Sequence, residues 1–190
     1  SGTTLADGSQ QGGSIDVRAK NITQTSSAVV SASSSEGEGG RVELIGDLGH
    51  GIGQFGGKIY ATGRRRGGFV DTSGATVLID DALRVNTSSA EGQAGTWLID
   101  PNDFTIAASG GNITGSALSG NLANNGIISS TATQGTAGGN GDIFVRDNVT
   151  WSSGKTLTLN AERNINILAT IDAAQSPTGK VVLQYGQGAV

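Results

Sequence analysis

No cysteine or methionine occurs in the 190 residues, proline occurs twice, and aromatic side chains make up only 4%. The missing thiols exclude a disulfide framework and any metal site built on thiolates. They also suit a chain that is exported through an oxidising compartment. No stretch approaches the roughly 18 consecutive apolar residues of a membrane-spanning helix, so no membrane insertion is expected. The opening SGTTLADGS has neither the basic segment nor the apolar run of a signal peptide. With no methionine at its start and an ending, GQGAV, that stops in mid-pattern, the chain reads as a piece of a longer protein. Charge is sparse as well, with 15% charged residues and a net charge of -4. That balance gives no general attraction to nucleic acid or to an anionic membrane. Windows with apolar residues at helical spacing are absent, so an all-β chain is expected.

What is abundant is glycine, 32 residues of it, together with Ser, Thr and Asn. Pairs such as Gly-Gly lead into short alternating runs: GGSIDVRA, GGRVELIG, GGKIYATG, GGFVDTSG, AGTWLID, NGDIFVRD, SGKTLTLNA and TGKVVLQYG. The second marker residue falls at Gly13, Gly40, Gly68 and Gly95, at intervals of 27, 28 and 27, with Gly57 inside one of them. Gly141, Gly154 and Gly179 continue the series less evenly. A repeat of this length marks a solenoid. Within each phrase alternate residues are apolar, such as Ile15 and Val17, Val42 and Leu44, Trp97 and Ile99, and Leu157 and Leu159. Period two places these inward and sets Asp16, Glu43, Tyr60, Asp71, Thr156 and Thr158 outward. Shorter β-prone runs lie between the phrases, at 28–32, 76–79, 83–86, 104–107, 126–129 and 165–171. Two or three short strands per repeat, joined by Gly, Asn, Ser and Asp corners, describe one coil of a parallel β-helix. Roughly seven or eight coils are expected, giving a rod on the order of 35–40 Å, as a single segment over residues 1–190. The alternative is an antiparallel β-sandwich, which has similar strands but no reason for a common period.

Motifs of chemistry are few. Gly51 to Gly56 fits GxGxxG by letters, but a strand rather than a helix follows, so a flexible corner is expected and no cofactor. Gly138 to Asp142 is a truncated, single copy of a calcium-roll repeat, so no metal is expected there. Asp80 and Asp81 are adjacent, which points them to opposite faces of a strand; they are expected in a turn. Asp100 and Asp103 flank Pro101, and His50 is the only histidine. None of these makes the paired carboxyls or the nucleophile-base pair of an enzyme. Arg64, Arg65 and Arg66 form the one charge cluster, a candidate patch for anionic glycans. Asn21, Asn86, Asn112 and Asn148 head Asn-X-Ser/Thr sequons, candidates for N-glycosylation. Trp97 is expected in the core.

GGFVDTSGATVLIDDALRVNT followed by GTWLIDPNDFTI, residues 67–106, resembles the large secreted adhesins of Gram-negative bacteria: the filamentous-haemagglutinin-like and high-molecular-weight adhesins of two-partner secretion. Family members often carry Glu where this chain has Asp71. The resemblance implies a right-handed β-helix stalk at the bacterial cell surface. It implies a parent chain exported by an outer-membrane transporter and a role in attachment to glycans or proteins of other cells. The sequons gain interest from it too, since some of these adhesins are glycosylated at such sites. A self-associating extracellular filament or biofilm matrix component is the alternative expectation, and a polysaccharide-active β-helix enzyme the third.

Overall fold

A computed structural model of the chain describes residues 3–4, 10–131, 139–174 and 176–186. Strands Ser14–Ala19, Arg41–Gly46, Phe69–Ser73, Thr96–Asp100, Gly126–Ser130, Thr156–Asn160 and Lys180–Gln184 form one seven-stranded sheet, the long face. Each strand pairs in parallel with the next in this order. Between successive long-face strands the chain crosses a second and then a third face before returning. The second face carries Ile22–Gln24, Ile52–Phe55 and Thr76–Ile79, and further on Phe104–Ile106, Ile143–Val145 and Ile165–Ile167. The third carries Val29–Ser31, Lys58–Tyr60 and Arg84–Asn86, and later Val149–Thr150 and Ile171–Asp172. This is a parallel β-helix. Its pairing excludes the sandwich; among the described strands only Thr3–Thr4 and Gln10–Gln11 pair antiparallel.

The alternation buries what it should. Ile15, Val42, Val70, Trp97, Ile127, Leu157 and Val181 stack in register along the inside of the long face. Trp97 is fully buried, and its Nε1 donates to Thr72 Oγ1 at 2.9 Å, which meets the polar demand of the indole inside an apolar core.

The solenoid has about six turns rather than seven or eight. Two of the glycine phrases do not open long-face strands: Gly57 precedes the third-face strand Lys58–Tyr60, and Gly141 the second-face strand Ile143–Val145. Conversely, Gly126–Ser130 belongs to the long face without a preceding Gly-Gly pair. At about 4.8 Å per step, six steps make a rod on the order of 30 Å.

The fourth coil departs from the pattern twice. On the second face, residues 107–113 turn back so that Asn112 fills the slot between two coils. Its carbonyl accepts from Ile79 N at 2.8 Å and its N–H donates to Thr105 O at 2.8 Å. On the third face a helix, Gly115–Asn121, replaces a strand, contrary to the expectation of none. Its sequence, GSALSGN, has no sustained apolar stripe; Thr114 starts it by accepting from Ala117 N at 3.2 Å. The helix lies against the free edge of Arg84–Asn86, where Asn121 and Asn125 meet the strand's backbone.

Candidate functional site

The corners joining the third face to the long face stack upon one another at residues 33–40, 62–68 and 88–95. Here the repeated glycines have a steric cause. A Cβ on Gly40 would sit 2.0 Å from Gly13 O, on Gly68 2.1 Å from Gly40 O, and on Gly95 1.7 Å from Gly68 O. The backbone of each coil rides directly on that of the one before, which leaves no room for a side chain.

This stack also explains the arginine triplet. Arg64 Nε lies 2.8 Å from Glu91 Oε1 and its Nη1 3.4 Å from Glu36 Oε2, so acids from the coils on either side hold it. These contacts, Glu91 first, raise the Arg64 pKa. Its charge is used within the rod. Arg65 and Arg66 are exposed, and Arg66 is a β-bridge neighbour of Glu38. The three residues therefore do not form one free patch: Arg64 belongs to an inter-coil ion ladder, and Arg66 turns to a groove beside the long face.

The sequon asparagines differ in accessibility. Asn112 is half-buried, its Nδ2 donating to Val77 O at 2.6 Å and its Oδ1 accepting from Thr105 N at 2.7 Å. A glycan on that nitrogen requires this bridge between coils to open. Asn21 and Asn148 are exposed, and their Oδ1 atoms accept from Ile52 N and Thr170 N of the following coils. Asn86 is half-buried and caps its own turn through Ser88 N at 2.9 Å.

Other motifs resolve into structure. Residues 51–56 are not a corner, since Ile52–Phe55 is a second-face strand. Asp80 closes a turn by accepting from Ala82 N at 2.7 Å, and Asp81 accepts from Thr114 Oγ1 at 2.6 Å. His50 sits exposed in a turn, where its N–H donates to Asp47 Oδ1 at 2.7 Å. Of the calcium-roll resemblance, Gly138 lies outside the described residues. Asp142, the carboxylate of that motif, is bound by Arg163 through both Nε and Nη2 and by Asn164. Arg163 above all lowers its pKa. Asp103 Oδ1 accepts from the N–H groups of Asn140 and Asp142 at 2.9 Å each, so Asp103 and Asp100 serve different places. Among the described residues, no group of three or more His, Asp or Glu is arranged to hold a metal ion.

One arrangement escaped sequence reasoning. On the outward side of the long face, Asp16, Glu43 and Asp71 occupy one register row, and Ser73 and Asp100 a neighbouring one. Asp71 is only 7% exposed, and the Ser73 hydroxyl donates to it. Burial raises its pKa. Asp100 is pushed up to about 6, first by burial and second by the charge of Asp71. The row positions were legible, but how far neighbouring strands cover an outward carboxyl was not. For a carboxyl with a raised pKa, the folded state holds its proton more tightly than the unfolded chain. The resulting stability is full below the ordinary value of 3.8 and is lost as pH rises towards 6. Asp100→Asn is therefore expected to leave stability near pH 3 unchanged and to raise it at pH 8 by about 2–3 kcal/mol. Urea midpoints at the two pH values measure this; equal midpoints for variant and parent at pH 8 would refute it.

In comparison with known proteins, no family model, curated protein or solved structure matches the chain.

Proposed function

We propose that the chain is a structural and adhesive segment of an exported bacterial surface protein, a stiff rod that carries binding surfaces away from the cell. The observation that supports this most is the unbroken parallel ladder from Ser14 to Gln184, in which each coil is held by its neighbours and polar side chains are displayed outward. The resemblance of residues 67–106 to the two-partner-secretion adhesins points the same way. It brings with it an outer-membrane transporter for the parent chain and a place at the cell surface. Beads coated with the folded chain are expected to attach to cultured cells or glycan-coated surfaces above the level of beads carrying heat-denatured chain. Equal attachment of the two would sink the proposal. The third expectation, action on polysaccharides, is tested in the same preparation by the release of new reducing or unsaturated ends.

A self-associating filament is the second reading. Away from the outermost coils, Ile52 and Leu78 on the second face are 43% and 38% exposed, so the flank of the rod presents apolar side chains to a neighbouring copy. Concentration-dependent mass in solution, with rods seen by electron microscopy, distinguishes association from a monomeric stalk.

A further inference from the structure

Beside the stacked glycine corner two grooves adjoin. The first, about 300 Å³, is lined by Gln11, Glu38, Arg41, Arg66, Phe69 and Thr96 above a floor of glycine backbone. The second, about 430 Å³, shares Ala94, Gly95 and Thr96 with it and continues past Gln93 to Lys155 and Thr156. Together they run along the rod axis across successive coils. Their charge reverses that of the whole chain: Arg41, Arg66 and Lys155 face one acid, Glu38, on a protein of net charge -4. The cations are not equally committed. Arg41 is held by Glu43 at 2.9 Å and lies over the Phe69 ring at 4.2 Å, which fixes its guanidinium at the groove wall. Arg66 and Lys155 have no ion pair among the described residues.

We infer that this groove binds an extended acidic polysaccharide, with Arg41, Arg66 and Lys155 meeting its carboxylate or sulfate groups. The inference rests on the adhesive reading above and names the ligand class for it. A groove that follows the coil stack suits a linear polymer, because its cations recur along the axis rather than converge on one point. Backbone groups at the corner are already used: Gly39 N donates to Arg66 O, Gly67 N to Gln93 O and Gly95 N to Thr87 O. A peptide therefore finds no strand edge to extend. Hydroxyls and amides from Thr96, Thr156, Gln11 and Gln93 remain as partners for sugar hydroxyls, and the guanidinium groups suit planar anions.

The test measures binding of the purified chain to immobilised dextran sulfate, polygalacturonate, neutral dextran and poly-glutamate. Dextran sulfate and polygalacturonate are expected to bind, with affinity falling as salt rises, while neutral dextran does not. Arg66→Ser with Lys155→Ser is expected to weaken binding by about tenfold or more. Arg64→Ser, which removes a cation outside the groove, leaves it nearly unchanged. Thermal melts confirm that the variants fold, and the charge-reversed pair R66E/K155E repeats the measurement independently. The assignment is overturned by absence of binding to either acidic polysaccharide, by binding that survives both paired variants, or by equal binding of neutral dextran. Poly-glutamate that binds as tightly, and is lost in the same variants, also overturns it in favour of an acidic protein segment. Cell attachment plays no part in this readout, so its failure is separable from that of the adhesive reading.

Discussion

Gly68→Ala is expected to destabilise the rod on the order of 3 kcal/mol or more, although it adds a single methyl group. The new Cβ would lie 2.1 Å from Gly40 O of the stacked neighbouring corner and 2.9 Å from Ala61 O at the start of its own corner, and both are backbone atoms. Neither moves without breaking a bond of the corner, because Gly68 N donates to that same Ala61 O at 2.8 Å and Phe69 N to Gly40 O at 3.0 Å. The clash must therefore open the stack between two coils. Because Gly40 and Gly95 repeat the geometry, each is expected to be as sensitive. The opposite result is expected at Gly120, which is exposed in the helix and has nothing within 4 Å of its added Cβ. There alanine restricts the unfolded chain and favours the helix, and stability rises by about 0.5–1 kcal/mol. Chemical denaturation of both variants gives the comparison. A Gly68→Ala protein as stable as its parent would mean that the corners are not in backbone contact.

Much of the long face was legible in the sequence for this steric reason. Where backbone must touch backbone, glycine is forced, so Gly40, Gly68 and Gly95 mark the coils at near-constant spacing. Alternation then placed Val42, Val70 and Trp97 inside, as found. The signal weakened wherever another device did the work. Gly126–Ser130 enters the sheet from a helix through Asn124 and Asn125, so no Gly-Gly pair announces it, while the phrases at Gly57 and Gly141 open strands of the other faces and inflate the count of coils. The helix is too short to show a period: Ala117, Leu118 and the following Leu122 enter the core, while polar side chains hold it against a strand edge, which periodicity does not record. Likewise the arginine triplet is contiguous in sequence, but stacking sends Arg64 to Glu36 and Glu91 while Arg66 borders the groove. Contacts between coils, about 27 residues apart in the chain, decide how a charge is used.

Those polar side chains carry the second large effect. Among the described residues no strand follows on the edge of Arg84–Asn86, and two buried amides take its place. Asn121 Oδ1 accepts from Val85 N at 2.8 Å, and its Nδ2 donates to Leu83 O at 3.1 Å. Asn125 Oδ1 accepts from Thr87 N at 2.7 Å and from Thr87 Oγ1 at 2.8 Å, while its Nδ2 donates to Val85 O at 2.8 Å. Asn121 is 1% and Asn125 0% exposed, so water cannot replace them. Each amide supplies a donor and an acceptor to the edge, as a strand would. Asn125→Leu leaves Thr87 N–H and Val85 C=O buried and unpaired, which is expected to cost about 3–5 kcal/mol. Asn125→Asp separates hydrogen bonding from volume. The shape is kept, but the carboxylate has no N–H to give and faces the Val85 and Asn121 carbonyls, so a loss at least as large is expected. Asn148→Ala, by contrast, removes an exposed acceptor from Thr170 N and is expected to cost about 1 kcal/mol or less. Hydrogen exchange at the amides of Val85 and Thr87 reads the edge directly. Both are expected to be strongly protected in the parent. Asn125→Leu removes the acceptor of Thr87 N–H and leaves that of Val85 N–H on Asn121, so Thr87 is expected to lose its protection first. Thr87 exchange unchanged in that variant would show that the amide does not stand in for a strand.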